Sequence, residues 1–176
     1  MAFLPPSCAI RSNKILDARR VATVTAVAPL TLEDAKTYLR MTGIDDDNVV
    51  IQNLIDEAVD WIQEYCGISL VESDVTTTIE IHNRQELPYG PVKTITAVDG
   101  LTLSETEGFI TAYGYGRFTQ TYVAGYEVVP PALKGALLSY VAYTYEHRGD
   151  DLDETDTKFA AKAKSKAFPY IQNFGY

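Results

Sequence analysis

Apolar residues recur at helical spacing most clearly in the segment 47–66. Ile51, Leu54, Ile55, Ala58, Ile62 and Tyr65 fall on one side, and Asp56, Glu57, Asp60, Gln63 and Glu64 hold the other. Gly67 supplies a C-terminal stop. A shorter helix precedes it over 31–42. Thr31 can cap its first backbone N–H groups, and Asp34 can reach back as a shortened capping box. Gly43 is the expected stop of this first helix, and the acidic run 44–48 is the turn into the second.

After Gly67 the period changes from 3.6 to 2. Residues 75–82 alternate β-branched and polar side chains, a strand pattern that recurs at 92–98, 101–103, 109–113 and 118–123. Asp99-Gly100 predicts a hairpin between the strand at 92–98 and a return strand from Leu101. Gly114-Tyr-Gly116-Arg117 predicts a turn between the last two strands. Pro130-Pro131 restarts helix over 131–148, with Leu133, Leu137, Tyr140, Val141 and Thr144 on one face. The expected fold is therefore α+β: a helical bundle of about four helices with an inserted small antiparallel β unit at 73–124. Leu54 and Leu137 are expected to face one shared core.

The flanks differ in character. Residues 1–29 read as an extension or arm, locally basic through Arg11, Lys14, Arg19 and Arg20, with alternation only at 21–27. Residues 150–176 read as an acidic loop (150–156), then a basic helix with Lys158, Lys162 and Lys166 at i, i+4 spacing. An aromatic tail follows, with Phe168, Tyr170, Phe174 and Tyr176 as candidate anchors for a partner surface. The connector between arm and tail, 30–149, is expected to be one domain.

Charge and chemistry narrow the function. A net charge of −9 opposes a general nucleic-acid binder, which would be basic. The N-terminus lacks a signal-peptide pattern, and no apolar window is long enough for a transmembrane helix, so no membrane role is expected. Cys8 and Cys66 form no CxxC or metal-like pattern, and His82 and His147 sit in no HxxxH or HExxH arrangement. The acidic segment from Asp151 lacks an EF-hand's turn glycine and carries Lys162 at the closing position. Gly114-Tyr-Gly116 lacks the third glycine and the following helix of a dinucleotide loop. No nucleophile motif or paired catalytic carboxylate is found, so catalytic, metal and cofactor-binding residues are all expected to be none.

In order, the motifs resemble those of tailed-phage head–tail connector (adaptor) proteins. Thr31-Leu-Glu-Asp-Ala-Lys-Thr-Tyr-Leu-Arg, the acidic turn, Ile51-Gln-Asn-Leu-Ile-Asp-Glu-Ala and Glu64-Tyr-Cys-Gly67 are similar to the family's opening helices. Tyr122-Val-Ala-Gly-Tyr126, Val129-Pro-Pro-Ala-Leu-Lys-Gly-Ala-Leu-Leu and Tyr145-Glu-His-Arg148 are similar to its second half. The β insert matches the longer members, those also found in gene-transfer-agent-like particles, and the likeness covers residues 30–149.

The resemblance implies a non-enzymatic virion protein of the neck. It would form a homo-oligomeric ring of about twelve subunits under the portal protein, present in the host cytoplasm during assembly. Such a ring extends the DNA channel, lets DNA pass without sequence-specific binding, and offers a docking platform to the next tail component. Lys158, Lys162, Lys166, Phe168, Tyr170, Phe174 and Tyr176 then become the expected portal-binding residues. Asp56, Glu57, Asp60 and Glu64 become expected subunit contacts or channel lining. The alternatives are a tail-completion or tail-terminator ring and a DNA-binding accessory factor using the lysine helix.

Overall fold

The computed structural model describes residues 13–23, 27–147 and 163–172. Their elements are β1 (Lys14–Ala22), α1 (Leu32–Leu39), α2 (Asn48–Cys66), β2 (Ser73–Glu86), β3 (Val92–Ile95), β4 (Thr102–Thr106), β5 (Phe109–Ala124) and α3 (Pro131–Glu146). A helical stretch at 163–167 runs into a short 3-10 turn, Phe168–Tyr170. The class is α+β, as expected.

Local chemistry explains the helices. The Thr31 hydroxyl accepts from Asp34 N–H at 3.1 Å and the Asp34 carboxylate accepts from Thr31 N–H at 3.4 Å, which closes the capping box. Gly43 is not the stop: α1 ends at Leu39, because Arg40 takes the left-handed conformation (φ 60°) and its N–H returns to the Lys36 and Thr37 carbonyls. Gly67 does cap α2, at φ 66°. Pro131 opens α3, where a missing N–H costs nothing.

Ile51, Ile55, Ala58 and Ile62 of α2 pack against Leu133, Ala136, Leu137 and Val141 of α3, with Leu30, Ala35 and Ala167 closing the cluster. Each fully buried Ile or Leu contributes about 1.5–3 kcal/mol relative to exposure. Leu54 lies only on the margin of this core, half-buried.

The five described strands form one antiparallel sheet in the order β1-β2-β5-β3, with β4 also paired to β5. Two expectations fail here. First, 109–124 is one strand, not two. Gly114 and Gly116 pair with Asn83 and Ile81 inside the β2–β5 ladder. A Cβ on Gly114 would stand 2.9 Å from the Gly100 carbonyl oxygen and 3.1 Å from Leu101 Cδ2. That glycine admits a crossing loop and makes no turn.

Second, Asp99-Gly100 makes a turn, with Leu101 N–H donating to Val98 O at 3.1 Å, but not a hairpin. Its flanking strands both pair with β5, β3 near Val123 and β4 near Ala112. The arm also contributes more than expected, since β1 forms the sheet edge beside β2 with an irregularity between Ile15 and Asp17. The sheet is therefore not confined to the span between the second and third helices.

Val75, Ile79, Ile81, Leu87, Ile110, Ala112 and Tyr122 make a second core under the sheet, separate from the helical one. Leu137→Ala is expected to cost about 2–5 kcal/mol in urea unfolding, whereas Leu54→Ala should cost clearly less because its site is open to solvent. Equal losses at the two positions would contradict this placement.

Acid sensitivity follows from the ion pairs. Lys134 holds Asp34 below its ordinary pKa, joined by the hydrogen bonds from Thr31, and links α1 to α3 at 3.1 Å. Lys36 likewise depresses Asp45 and Lys93 depresses Glu72. A depressed carboxylate contributes stability that is complete above its unfolded pKa of about 4 and is lost as pH falls through the lower folded value. The Tm of Lys134→Met should therefore fall less on acidification below about pH 4 than that of the parent protein.

Candidate docking surfaces

Two surfaces named by the sequence can be located. The first is the acidic side of α2, which carries no lysine or arginine. Glu57 and Glu64 are engaged within the chain. Tyr140 donates its hydroxyl to Glu57 at 2.6 Å, and Arg20 of β1 reaches Glu64 at 3.3 Å while also donating to the Ile68 carbonyl at 2.9 Å. Trp61 stacks on Tyr65 with ring centroids 5.3 Å apart and packs against Tyr140 at 5.4 Å, so this end of the helix is braced by aromatic rings.

Asp56 and Asp60 are exposed, one turn apart, and Gln52 donates to Asp56 at 2.9 Å. Both line a cleft of about 380 Å³ whose other walls include Arg20, Ala22 and Pro29. All four carboxylates are exposed, but Glu57 and Glu64 pair with groups on other elements whereas Asp56 pairs within its own helix, a distinction that needs the positions of Arg20 and Tyr140.

The second surface is the C-terminal segment, in which Lys158, Lys162, Phe174 and Tyr176 lie outside the described residues. Lys166 faces inward. Its ammonium donates to the Gly135 carbonyl at 3.0 Å and to the Ser139 hydroxyl at 2.9 Å, and Ser139 in turn donates to Gly135 O at 2.7 Å. The lysine therefore clasps the 163–167 helix to α3, whose small residues let it approach.

Ala163 and Ala167 are buried, and the Cys66 thiol donates to the Ala167 carbonyl at 3.7 Å. Burial pushes that thiol's pKa to about 11, so Cys66 is a packing residue. Tyr170 packs half-buried against the helical core, and burial, with the charge of the neighbouring Tyr170 adding to it, raises Tyr126 to about 12. Phe168, 70% exposed, is the described member of the aromatic set that projects outward.

The Ala-Gly-Tyr motif at 124–126 also gains a physical reason. Gly125 (φ +139°) donates its N–H to the Pro91 carbonyl at 2.8 Å, and any Cβ there would meet the Val71 carbonyl oxygen at 2.5 Å. Among the described residues no group of three His, Cys, Asp or Glu is placed to hold a metal ion, and no helix is long and apolar enough to cross a membrane.

Removing the Lys166 clasp gives a direct check. Lys166→Ala forfeits two charge-assisted hydrogen bonds of about 1.5–3 kcal/mol each before relaxation. Amide exchange in 163–172 should speed up by at least tenfold while exchange in the α2 core changes little. Unchanged exchange in 163–172 would show that the alanines alone hold the segment.

The family model described as phage gp6-like head–tail connector protein matches residues 29–168. No curated protein matches the chain in sequence. Among solved structures, a chain from the neck of an empty gene transfer agent particle, computed with C6 symmetry, superposes with a TM-score of 0.66 at 18% identity, covering 92% of this chain and 99% of that one. A chain from the virion of the native particle gives 0.68 at 15% identity, covering 90% and 98%. One from the neck of the native particle, computed with C12 symmetry, gives 0.60 at 16% identity, covering 92% and 99%. At these identities the superpositions establish a shared fold, while the family match spans most of the sequence. The chain belongs to the phage gp6-like head–tail connector family, structural proteins of the virion's head–tail interface.

Proposed function

We propose that copies of this chain form a ring in the particle neck, beneath the portal protein, that continues the DNA channel and offers a platform to the next tail component. The observation that carries this reading is the connector-family match over 29–168. The likeness of the whole fold to neck chains of particles treated with C6 and C12 symmetry supports a ring of twelve over a closed dimer. Ring closure requires a heterologous interface, in which two different surfaces of the same chain meet. In this proposal the chain is a helical connector domain carrying a sheet built from the β insert and strand β1 of the arm, with no catalytic task.

The exposed couple Asp56 and Asp60 is the proposed ring-facing site. It serves either as a subunit contact, taking basic groups of the neighbouring copy into the cleft beside Arg20, or as channel lining. Glu57 and Glu64, exposed on the same helix, fix Tyr140 and Arg20. The exposed ring of Phe168 is the proposed portal anchor, with Tyr170 and Lys166 holding its helix in place and Lys158, Lys162, Phe174 and Tyr176 completing the surface. An acidic channel repels phosphate, so DNA would slide through it without sequence-specific binding.

Both assignments can be tested on the purified chain. Phe168→Ala should weaken capture by portal at least tenfold, the loss of one buried aromatic anchor, with an unchanged Tm. Unaltered capture removes the anchor. The double variant Asp56→Lys, Asp60→Lys should either dissolve the ring in light scattering, marking a subunit contact, or preserve it and create salt-sensitive duplex binding, marking the channel wall. A ring that persists without DNA binding would exclude both roles.

A further inference from the structure

A cleft of about 710 Å³ lies over the end of the sheet, and apart from Tyr170 its lining enters none of the assignments above. That is within the range of about 300–1,000 Å³ typical of clefts that bury a small ligand. Tyr113, Tyr126, Tyr170, Phe109, Pro91 and Pro169 supply its apolar walls, and Arg84, Glu86 and Glu107 its charges. Aromatic rings and prolines facing an open groove are the surface that receives extended, proline-containing chain.

Such a chain starts at the cleft's own rim. Asn13, the first described residue, donates from Nδ2 to the Arg84 carbonyl at 2.6 Å and accepts from His82 N–H at Oδ1, 2.8 Å. The β1–β2 register is antiparallel, with Lys14 opposite Glu80. Residues before Asn13 that keep this direction travel along β2 toward Arg84 and Glu86, which line the cleft. Among the described residues the β1–β2 ladder stops at Glu80, while β2 runs on to Glu86. Twelve residues precede Asn13, among them Phe3, Leu4, Pro5, Pro6 and Arg11. Fully extended they reach about 40 Å. They offer an aromatic and proline cluster to the aromatic walls, and Arg11 to Glu86 and Glu107.

We propose that this cleft is the docking site of the chain's own N-terminal arm, with residues 3–6 seated between Tyr113, Tyr126 and Tyr170. The arm straps the sheet to the 169–172 segment, all four of whose residues line the cleft. The family match begins at residue 29, so the strap is a feature of this chain outside the matched region, and it stands whether or not the ring forms.

Hydroxyl-radical footprinting of the full chain tests it. Deleting residues 1–12, or changing Phe3, Pro5 and Pro6 to Ser, should raise the oxidation of Tyr113 and Tyr170 severalfold and leave the internal Tyr122 unchanged. No increase overturns the proposal. An increase seen only when 173–176 is removed also overturns it, by showing the C-terminal aromatic tail as the occupant. Cys8 gives a second readout. With Ser104→Cys at the exposed β4 edge, mild oxidation by diamide should join Cys8 to the introduced thiol within one chain at low protein concentration, since buried Cys66 does not compete. A disulfide found only between two chains would reject the chain's own arm as occupant in favour of a neighbour's.

Discussion

A seam of backbone hydrogen bonds ties the two halves of this molecule together. Ser69 N–H donates to the Gly90 carbonyl at 2.9 Å and Tyr89 N–H to the Gly67 carbonyl at 2.9 Å, while Gly125 N–H reaches Pro91 O at 2.8 Å. Gln172 adds a fourth strand of chain to the seam, donating its N–H to Cys66 O and accepting from Gly90 N–H at its side-chain oxygen. The helical and β cores are separate hydrophobic clusters, and this seam joins them along with the Phe109 ring, which packs on the helical core, and the Arg20–Glu64 pair. Backbones can approach so closely only where side chains are missing. A Cβ at Gly90 would fall 2.5 Å from the Phe109 ring, and one at Gly125 would meet Val71 carbonyl oxygen at the same distance.

That seam explains which parts of the fold were legible in the sequence. Helix ends were readable where one residue type has one dominant use: Thr31 with Asp34 at a start, Gly67 at a stop, Pro131 in a first turn. Glycine inside a strand region has two uses, turning the chain or admitting a neighbour, and Gly114 and Gly116 serve in a continuous strand. Only the position of the loop carrying Gly100 distinguishes the two, and that is tertiary information. Arg40 illustrates the converse. It ends α1 in a left-handed conformation that its side chain gives no reason to expect, three residues before the glycine that seemed suited to the task.

Strand β1 was hidden for a different reason. Its residues pair on one side only, its outer positions carry Lys14, Asp17 and Arg19, and an irregularity at Leu16 interrupts the alternation. Those are the devices that protect a sheet edge from unwanted pairing, and they erase the period-2 pattern by which a strand is recognised. The docking surfaces were half legible for a related reason. Spacing located a lysine stripe and an acidic helix face, but it could not show that Lys166 turns inward to Ser139 or that Glu64 pairs with Arg20. Each of those partners lies 27 or more residues away in the chain.

Charge sets a constraint on how the proposed ring could close. A chain of net charge −9 repels its copies, and in a ring each copy has two such neighbours at contact distance, well inside the Debye length of about 8 Å at physiological ionic strength. The same charge that would keep DNA from sticking in the proposed channel opposes subunit association, so the interface must bring unlike charges together or bury enough apolar surface to offset the repulsion. The basic groups of the chain are unevenly available for this. Lys36, Lys93, Lys134 and Lys166 are committed to intramolecular partners, whereas Lys14 and Arg19 stand exposed on the sheet edge. In the proposed ring, an acidic α2 on one copy facing the basic β1 edge of the next would satisfy the heterologous geometry and neutralise the repulsion at the same contact. The arrangement also leaves the uncompensated negative charge for the surfaces away from the interface, where it would help DNA to pass.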